Sequence, residues 1–89
     1  MFPRIKQLLP IEGYKLDVTF DSGEHVIYDV LDDINTIREF EPLVTETGLF
    51  DNVQIDESRT CVFWNDVIDL PSDTILEYGV PVVTMDVTK

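Results

Sequence analysis

The chain contains one cysteine and one histidine, the two side chains that could form a nucleophile and its general base. His25 falls in a predicted strand just after a turn, and Cys61 falls in an apolar segment. A lone Cys among apolar neighbours usually packs as a small hydrophobic residue, and structural zinc requires four N or S ligands at motif spacing. Neither a glycine-rich phosphate loop nor a nucleophile-elbow motif occurs. We therefore predict a non-catalytic protein with no metal ligands and no cofactor.

Carboxylates are far more abundant and fall into three groups along the chain. The groups are Asp29, Asp32 and Asp33; Asp51, Asp56 and Glu57; and Asp66, Asp69 and Asp73. Each has the oxygen ligands that Ca²⁺ or Mg²⁺ prefers, but none follows the EF-hand spacing. Because Asp is also favoured in turns and at helix N-termini, a structural role is the favoured interpretation of all three.

The aromatic residues indicate a binding surface. Phe63 and Trp64 are adjacent, so on a strand their side chains point to opposite faces. If Phe63 belongs to the core, Trp64 faces outward and forms, with Asp66, Asp69 and Asp73, a candidate protein-binding site for a basic partner. The alternative, slightly favoured for Trp64 alone, is that its ring packs beneath a helix.

Composition narrows the classes of partner. The 89 residues include 18 acidic and 6 basic side chains, a net charge of −12. Such a charge disfavours direct nucleic-acid binding, which depends on Lys and Arg neutralising phosphates, and disfavours docking on anionic membranes. It attracts basic proteins, although it could also serve only to keep a small protein soluble. With 44% hydrophobic residues, residues 1–89 are predicted to form a single domain with one modest core.

The cellular compartment can be predicted from sequence features that the chain lacks. A single Cys excludes an internal disulfide framework and fits a reducing compartment. No apolar run approaches the roughly 20 residues of a membrane span, and no signal peptide is expected at the N-terminus. We therefore predict a cytoplasmic protein.

Hydrophobic periodicity predicts the elements. Strict alternation over residues 14–20 and again over residues 26–30 predicts a β-hairpin, in which Gly23 supplies the positive φ of the turn. Further short strands are predicted in residues 50–55 and 60–64 and in a segment ending at Leu70. Residues 80–89 form either an edge strand or a loose end, since they contain Pro81.

Two short helices are predicted between and after these strands. The first follows an apolar stripe from Ile34 to Val44, capped by Thr36 or Asn35 and interrupted at Pro42. The second runs from Ser72, as its cap, to Tyr78, with Gly79 following. The predicted fold class is α+β, a small curved antiparallel sheet of about four to five strands with one or two short helices packed on it.

Three motifs over residues 9–78 carry a family resemblance. They are Tyr14-x-Leu16-x-Val18-x-Phe20-x-x-Gly23 with Asp29 in the first hairpin, Leu49-Phe50 with Val53-x-Ile55-Asp56, and Trp64 followed by Asp69-Leu70-x-x-Asp73-x-x-Leu76. In this order they resemble the bacterial family called domain of unknown function 2442. The family commonly has a Gly shortly after the Trp, where this chain has Asp66-Val67, so the turn there is expected to differ.

The resemblance implies a small sheet-and-helix domain without established catalytic residues. Some members carry a helix-turn-helix after this domain, and others resemble stand-alone partners of a second small protein, in pairs like toxin–antitoxin modules. Because this chain ends at residue 89, we expect the stand-alone role. The predicted function is thus a protein–protein interaction module, antitoxin-like, for a basic small protein. The alternative is a cation- or small-ligand-binding sensor domain.

Overall fold

The computed structural model describes residues 2–82, and within them it has seven β-strands and three short α-helices. The strands are β1 (Ile5–Ile11), β2 (Lys15–Phe20), β3 (His25–Asp29), β4 (Gln54–Ile55), β5 (Cys61–Phe63), β6 (Asp69–Pro71) and β7 (Val80–Pro81). The helices are α1 (Val30–Thr36), α2 (Pro42–Thr45) and α3 (Ser72–Tyr78), with 3-10 turns at Arg38–Phe40 and Phe50–Asn52.

The strands form two antiparallel sheets, one of four strands in the order β1-β2-β3-β7 and one of three in the order β4-β5-β6. The predicted α+β class is confirmed, with the strands divided between two sheets. The sheets join where the Ile5 N–H donates to the Arg59 carbonyl at 2.7 Å. The Arg59 guanidinium also donates to both carboxylate oxygens of Asp21, each at 2.9 Å. That bond lowers the pKa of Asp21 below its usual value.

The predicted hairpin is confirmed as β2 and β3. Its register pairs Val18 with Val26 and Lys15 with Asp29. The alternate residues Leu16, Val18 and Phe20 are fully buried, as expected for a strand with one face on the core. Gly23 has a φ of +94° in the turn, a conformation that costs glycine little because it has no Cβ.

Strand β1 was not predicted, and its residues explain why. The pairing with β2 shifts between Ile5 and Gln7, so a bulge breaks the alternation by which a strand is recognised. Pro10 also disfavours a strand, since it lacks a ladder donor. β1 lies at the edge of its sheet, where a proline is tolerated.

The first helical region begins earlier than predicted. Asp29 caps α1, accepting from the Leu31 N–H at 3.0 Å. The predicted caps Thr36 and Asn35 are wrong, because both lie at the end of α1, where the Thr36 hydroxyl donates to a backbone carbonyl. The predicted break at Pro42 is confirmed, since that proline is the first residue of the separate helix α2.

Helix α3 spans the predicted residues but is capped differently. Pro71 occupies the N-cap position without a side-chain bond, so the predicted Ser72 cap is wrong. Among residues 2–82, the buried Ser72 hydroxyl has no hydrogen-bond partner. Gly79 at the other end has a φ of −70° rather than a left-handed one. Of the predicted tail, Val80–Pro81 forms the edge strand β7, and residues 83–89 lie outside the described part.

The two sheets and the helices enclose one hydrophobic core. Its fully buried members include Ile5 of β1, Leu16 of β2, Val30 of α1, Val62 of β5 and Ile75 of α3. Across residues 2–82, none of the helices is long and apolar enough to cross a membrane.

Candidate functional site

A groove between α1 and α3 gathers carboxylates and aromatic rings. Its volume is about 430 Å³. We call it the α1–α3 groove, and its lining residues are Tyr28, Asp29, Asp32, Asp33, Thr74 and Tyr78. Helical spacing produces it, because side chains three and four residues apart lie on one helix face. Asp29 precedes Asp32 and Asp33 by three and four residues, and Thr74 precedes Tyr78 by four.

The interior of the groove is a hydrogen-bonded pair. The buried Tyr28 hydroxyl donates to Asp33 Oδ2 at 2.5 Å. Burial is the main cause that raises the pKa of Tyr28, and its bond to Asp33 raises it further. The hydroxyl therefore stays protonated and holds the Asp33 carboxylate in place as a donor.

The mouth of the groove is acidic and open. Asp29 and Asp32 are exposed, and the Tyr78 side chain is 70% exposed. The lining residues include no Lys, Arg or His. Within residues 2–82 the Asp21–Arg59 ion pair and the Asp17–His25 contact both lie elsewhere. The groove thus presents negative charge that the described part of the chain does not neutralise.

Burial and charge repulsion both act on Asp33. Burial is the main cause that raises its pKa above the usual 3.8, and the neighbouring Asp32 and Asp29 raise it further, while the Tyr28 bond opposes them. Such a shift means that the folded state binds a proton more tightly than the unfolded state does. Ionisation of Asp33 therefore lowers the stability of the folded state. This loss is absent below pH 3.8, grows as pH rises through the folded pKa, and is complete at neutral pH.

Replacing Asp33 with Asn should therefore stabilise the protein at neutral pH. The amide keeps an oxygen that can accept from Tyr28 and removes the buried charge. We expect the melting temperature of Asp33→Asn to exceed that of the wild type by a few degrees at most, since solvent reaches this side chain. The difference should shrink as the pH falls towards 3.8. Glu39→Gln, the same charge change on an exposed side chain, is the control; an equal effect in both variants would contradict the assignment.

A second concavity, of about 600 Å³, lies between the β1–β2 turn and the segment after α2. Glu12, Glu46 and Asp51 are among its lining residues, beside the aromatic Tyr14 and Phe50. No Lys, Arg or His lines it either, as far as residues 2–82 show. These two concavities thus favour positively charged groups.

Metal coordination is not supported by the arrangement of these acids. Among residues 2–82, no three His, Cys, Asp or Glu side chains converge closely enough to hold a metal ion.

The order of the motifs along this fold matches a known family. The sequence profile of the family described as protein of unknown function DUF2442 matches residues 5–81. The chain belongs to the DUF2442 family. The match extends the region identified from the motifs at both ends, to include all of β1 and all of β7.

A solved structure resembles most of this DUF2442 chain. It is the crystal structure of the putative DNA-binding protein NE0471 from Nitrosomonas europaea, with a TM-score of 0.68 and 23% sequence identity. The similarity covers 86% of this chain and 48% of the other, so this chain spans about half the length of that protein. At this identity the similarity concerns the fold. No curated protein is similar enough to this chain to match it.

Trp64 lies inside the DUF2442 fold rather than on its surface. Its side chain is 6% exposed, its indole N–H donates to the Phe50 carbonyl at 2.9 Å, and its ring stacks on Phe50 with centroids 5.8 Å apart. The Phe40 ring meets it edge-on at 6.2 Å. The expectation of an outward Trp64 is therefore wrong, and the packed alternative holds.

The other predicted site residues of this DUF2442 chain are on the surface. Asp66, Asp69 and Asp73 are all exposed. Asp73 lies on α3 next to the groove residue Thr74, and its carboxylate accepts from the Thr74 N–H at 2.9 Å. Asp66 and Asp69 do not line the groove. Of the predicted cluster, Asp73 is thus the member nearest in sequence to the groove, and Trp64 supports the core beneath.

His25 and Cys61 of the DUF2442 chain lie in different sheets. His25 Nε2 contacts Asp17 Oδ1 at 2.5 Å on the four-stranded sheet, and Cys61 begins β5 in the other sheet. Burial, followed by the charges of Asp69 and Asp56, raises the pKa of the Cys61 thiol. A raised thiol pKa opposes formation of the nucleophilic thiolate.

Proposed function

We propose that this protein is a non-catalytic interaction module that binds a basic small protein, in the manner of an antitoxin that masks its partner. The observation that carries the proposal is the α1–α3 groove. Its carboxylates have no cation beside them within residues 2–82, and an exposed Tyr78 ring lies at its mouth.

An arginine side chain fits the chemistry of this groove. A guanidinium can donate two parallel hydrogen bonds to one carboxylate and can stack on the face of a tyrosine ring. Asp29 and Asp32 provide the carboxylates, and Tyr78 provides the ring. A lysine side chain would provide only a point charge and would interact less well with the tyrosine ring. We therefore propose that the partner inserts an Arg.

The charge of the whole chain supports the same class of partner. A net charge of −12 accelerates encounter with a basic protein and makes the affinity sensitive to salt. It also repels phosphate backbones. The name of NE0471 refers to DNA binding in a protein about twice as long, and we propose no direct DNA contact for this chain. The exposed acids Asp66, Asp69 and Asp73 would widen the acidic surface around the groove.

The proposal places the protein in the cytoplasm, where a reduced Cys61 is expected. A sensor of cations or small ligands is the less supported function. Hard cations take several oxygen ligands at short distance, and the described residues do not bring three such side chains together.

Co-purification from the source cells at low salt tests the proposal. We expect one stoichiometric basic protein to accompany the native chain and to be released as the salt concentration rises, since screening weakens exposed charge pairs. Mass spectrometry identifies the partner. Recovery of the chain alone, or of a partner that high salt does not release, would contradict the proposal.

A further inference from the structure

The outward face of the four-stranded sheet carries apolar side chains on three of its four strands, on either side of Asp17. Strand pairing places Leu9 opposite Asp17, Asp17 opposite Ile27, and Ile27 opposite Val80. Leu9 and Val80 are 59% and 67% exposed. The buried residues of β2 and β3 point to the other side of the sheet, where the helices pack. We call this outward surface the open face.

The open face is nearly neutral, although the chain has a net charge of −12. Its charged side chains are Lys15 and Asp17, whose charges balance, and Asp17 Oδ1 contacts His25 Nε2 at 2.5 Å. The unpaired acids of the described chain are thus concentrated on other surfaces, such as the two concavities.

We propose that two copies of this chain associate through their open faces. A basic partner gains little from a neutral surface and is attracted to the acidic ones. Another copy, with the same negative charge, is repelled everywhere except where charge is balanced and apolar area can be buried. Because the same face is used twice, the contact is an isologous two-fold one. The open face and the α1–α3 groove meet only at Asp29, at the end of β3, so the dimer contact can be tested separately from the proposed function.

The size of the open face sets the strength of the association. Its outward residues are Gln7, Leu9, Ile11, Lys15, Asp17, Thr19, His25, Ile27 and Val80. A standard stable interface uses roughly 20–30 residues a side. The dimer is therefore a weak, reversible one that forms with rising protein concentration.

Salt should have opposite effects on the two kinds of binding. Screening reduces the repulsion between two negative chains, so salt strengthens the dimer. The same screening weakens the attraction between the groove and a basic partner. Whether affinity rises or falls with salt concentration therefore distinguishes the open-face contact from partner binding.

Analytical ultracentrifugation tests this inference, with protein from about 10 µM to about 1 mM and salt from about 0.1 to about 0.5 M. We expect the wild type to shift from monomer to dimer as its concentration rises, more so at higher salt. Leu9→Asp and Leu9→Lys should each weaken the dimer about tenfold or more, because either places an unpaired charge in the contact. If the negative and the positive substitution both weaken the dimer, added repulsion between the negatively charged copies is excluded as the cause.

Val67→Asp is the matched control, since Val67 is 65% exposed and lies in the β5–β6 loop, away from the open face. It should dimerise like the wild type once the effect of one added charge is allowed for. Thermal melts establish that all variants are folded. A wild type that stays monomeric throughout, or equal effects of Leu9→Asp and Val67→Asp, would overturn the inference. A failure here would leave co-purification of a basic partner unaffected.

Discussion

Replacing Trp64 with Ala should lower the free energy of unfolding by about 3–5 kcal/mol. The indole is 6% exposed and packs between the rings of Phe40 and Phe50. Its removal leaves a cavity and an unpaired Phe50 carbonyl. Because small domains have only about 5–15 kcal/mol of stability, this loss is a large fraction of the total. Urea denaturation followed by circular dichroism measures the effect.

Trp64→Phe separates the ring from its hydrogen bond. The smaller ring keeps part of the aromatic packing but loses the donor to Phe50, so we expect an intermediate cost of about 1–3 kcal/mol. Any loss of partner binding in these variants should follow the loss of folded protein. A Trp64→Ala variant that remains as stable as the wild type but no longer binds would contradict this and make Trp64 a direct contact.

Gly79→Ala should also be strongly destabilising, by about 1–3 kcal/mol. A Cβ at this position would lie 2.6 Å from the Ile75 carbonyl oxygen and 2.7 Å from Val26 Cγ2. Helix α3 and β3 would have to separate, which would also change the α1–α3 groove. Thermal melting measures the cost.

Whether Gly79→Ala stabilises or destabilises the protein shows which of two effects dominates at this position. The φ of Gly79 is −70°, which Ala adopts readily, so backbone entropy alone predicts a stabilisation of about 0.4–1 kcal/mol. Gly48→Ala is the informative comparison. Gly48 has a φ of +83° with open space around it, so its cost arises from the backbone alone. A stabilised Gly79→Ala would contradict the close packing of α3 on β3.

Local patterns in the sequence predicted the local structure well. The β2–β3 hairpin follows from period-two alternation with a glycine in the turn, and the extent of α3 follows from its flanking Pro71 and Gly79. Both features depend on neighbours in the chain, so periodicity reports them directly. The caps of the helices were predicted less well, because Asp29 belongs to the end of a strand as well as to the start of α1.

The candidate groove depends on contacts that the sequence does not show. The acidic group of Asp29, Asp32 and Asp33 was recognised, but a helix placed at Ile34 does not give these residues a common face. Their spacing of three and four residues was the available signal. Tyr78 joins them only through the packing of α3 on β3, a contact between distant parts of the chain.

Partner recovery with two variants of equal charge tests the central claim most directly. Asp29→Asn/Asp32→Asn removes two carboxylates of the groove, and Asn still caps α1. Glu39→Gln/Glu41→Gln removes two exposed acids that line neither concavity. With each chain as bait at low salt, we expect the groove variant to bind the basic partner about tenfold or more weakly, a loss of about 1.4 kcal/mol or more. The control variant should bind it nearly as the wild type does. Equal weakening in both would contradict a specific groove and leave only the general charge of the chain.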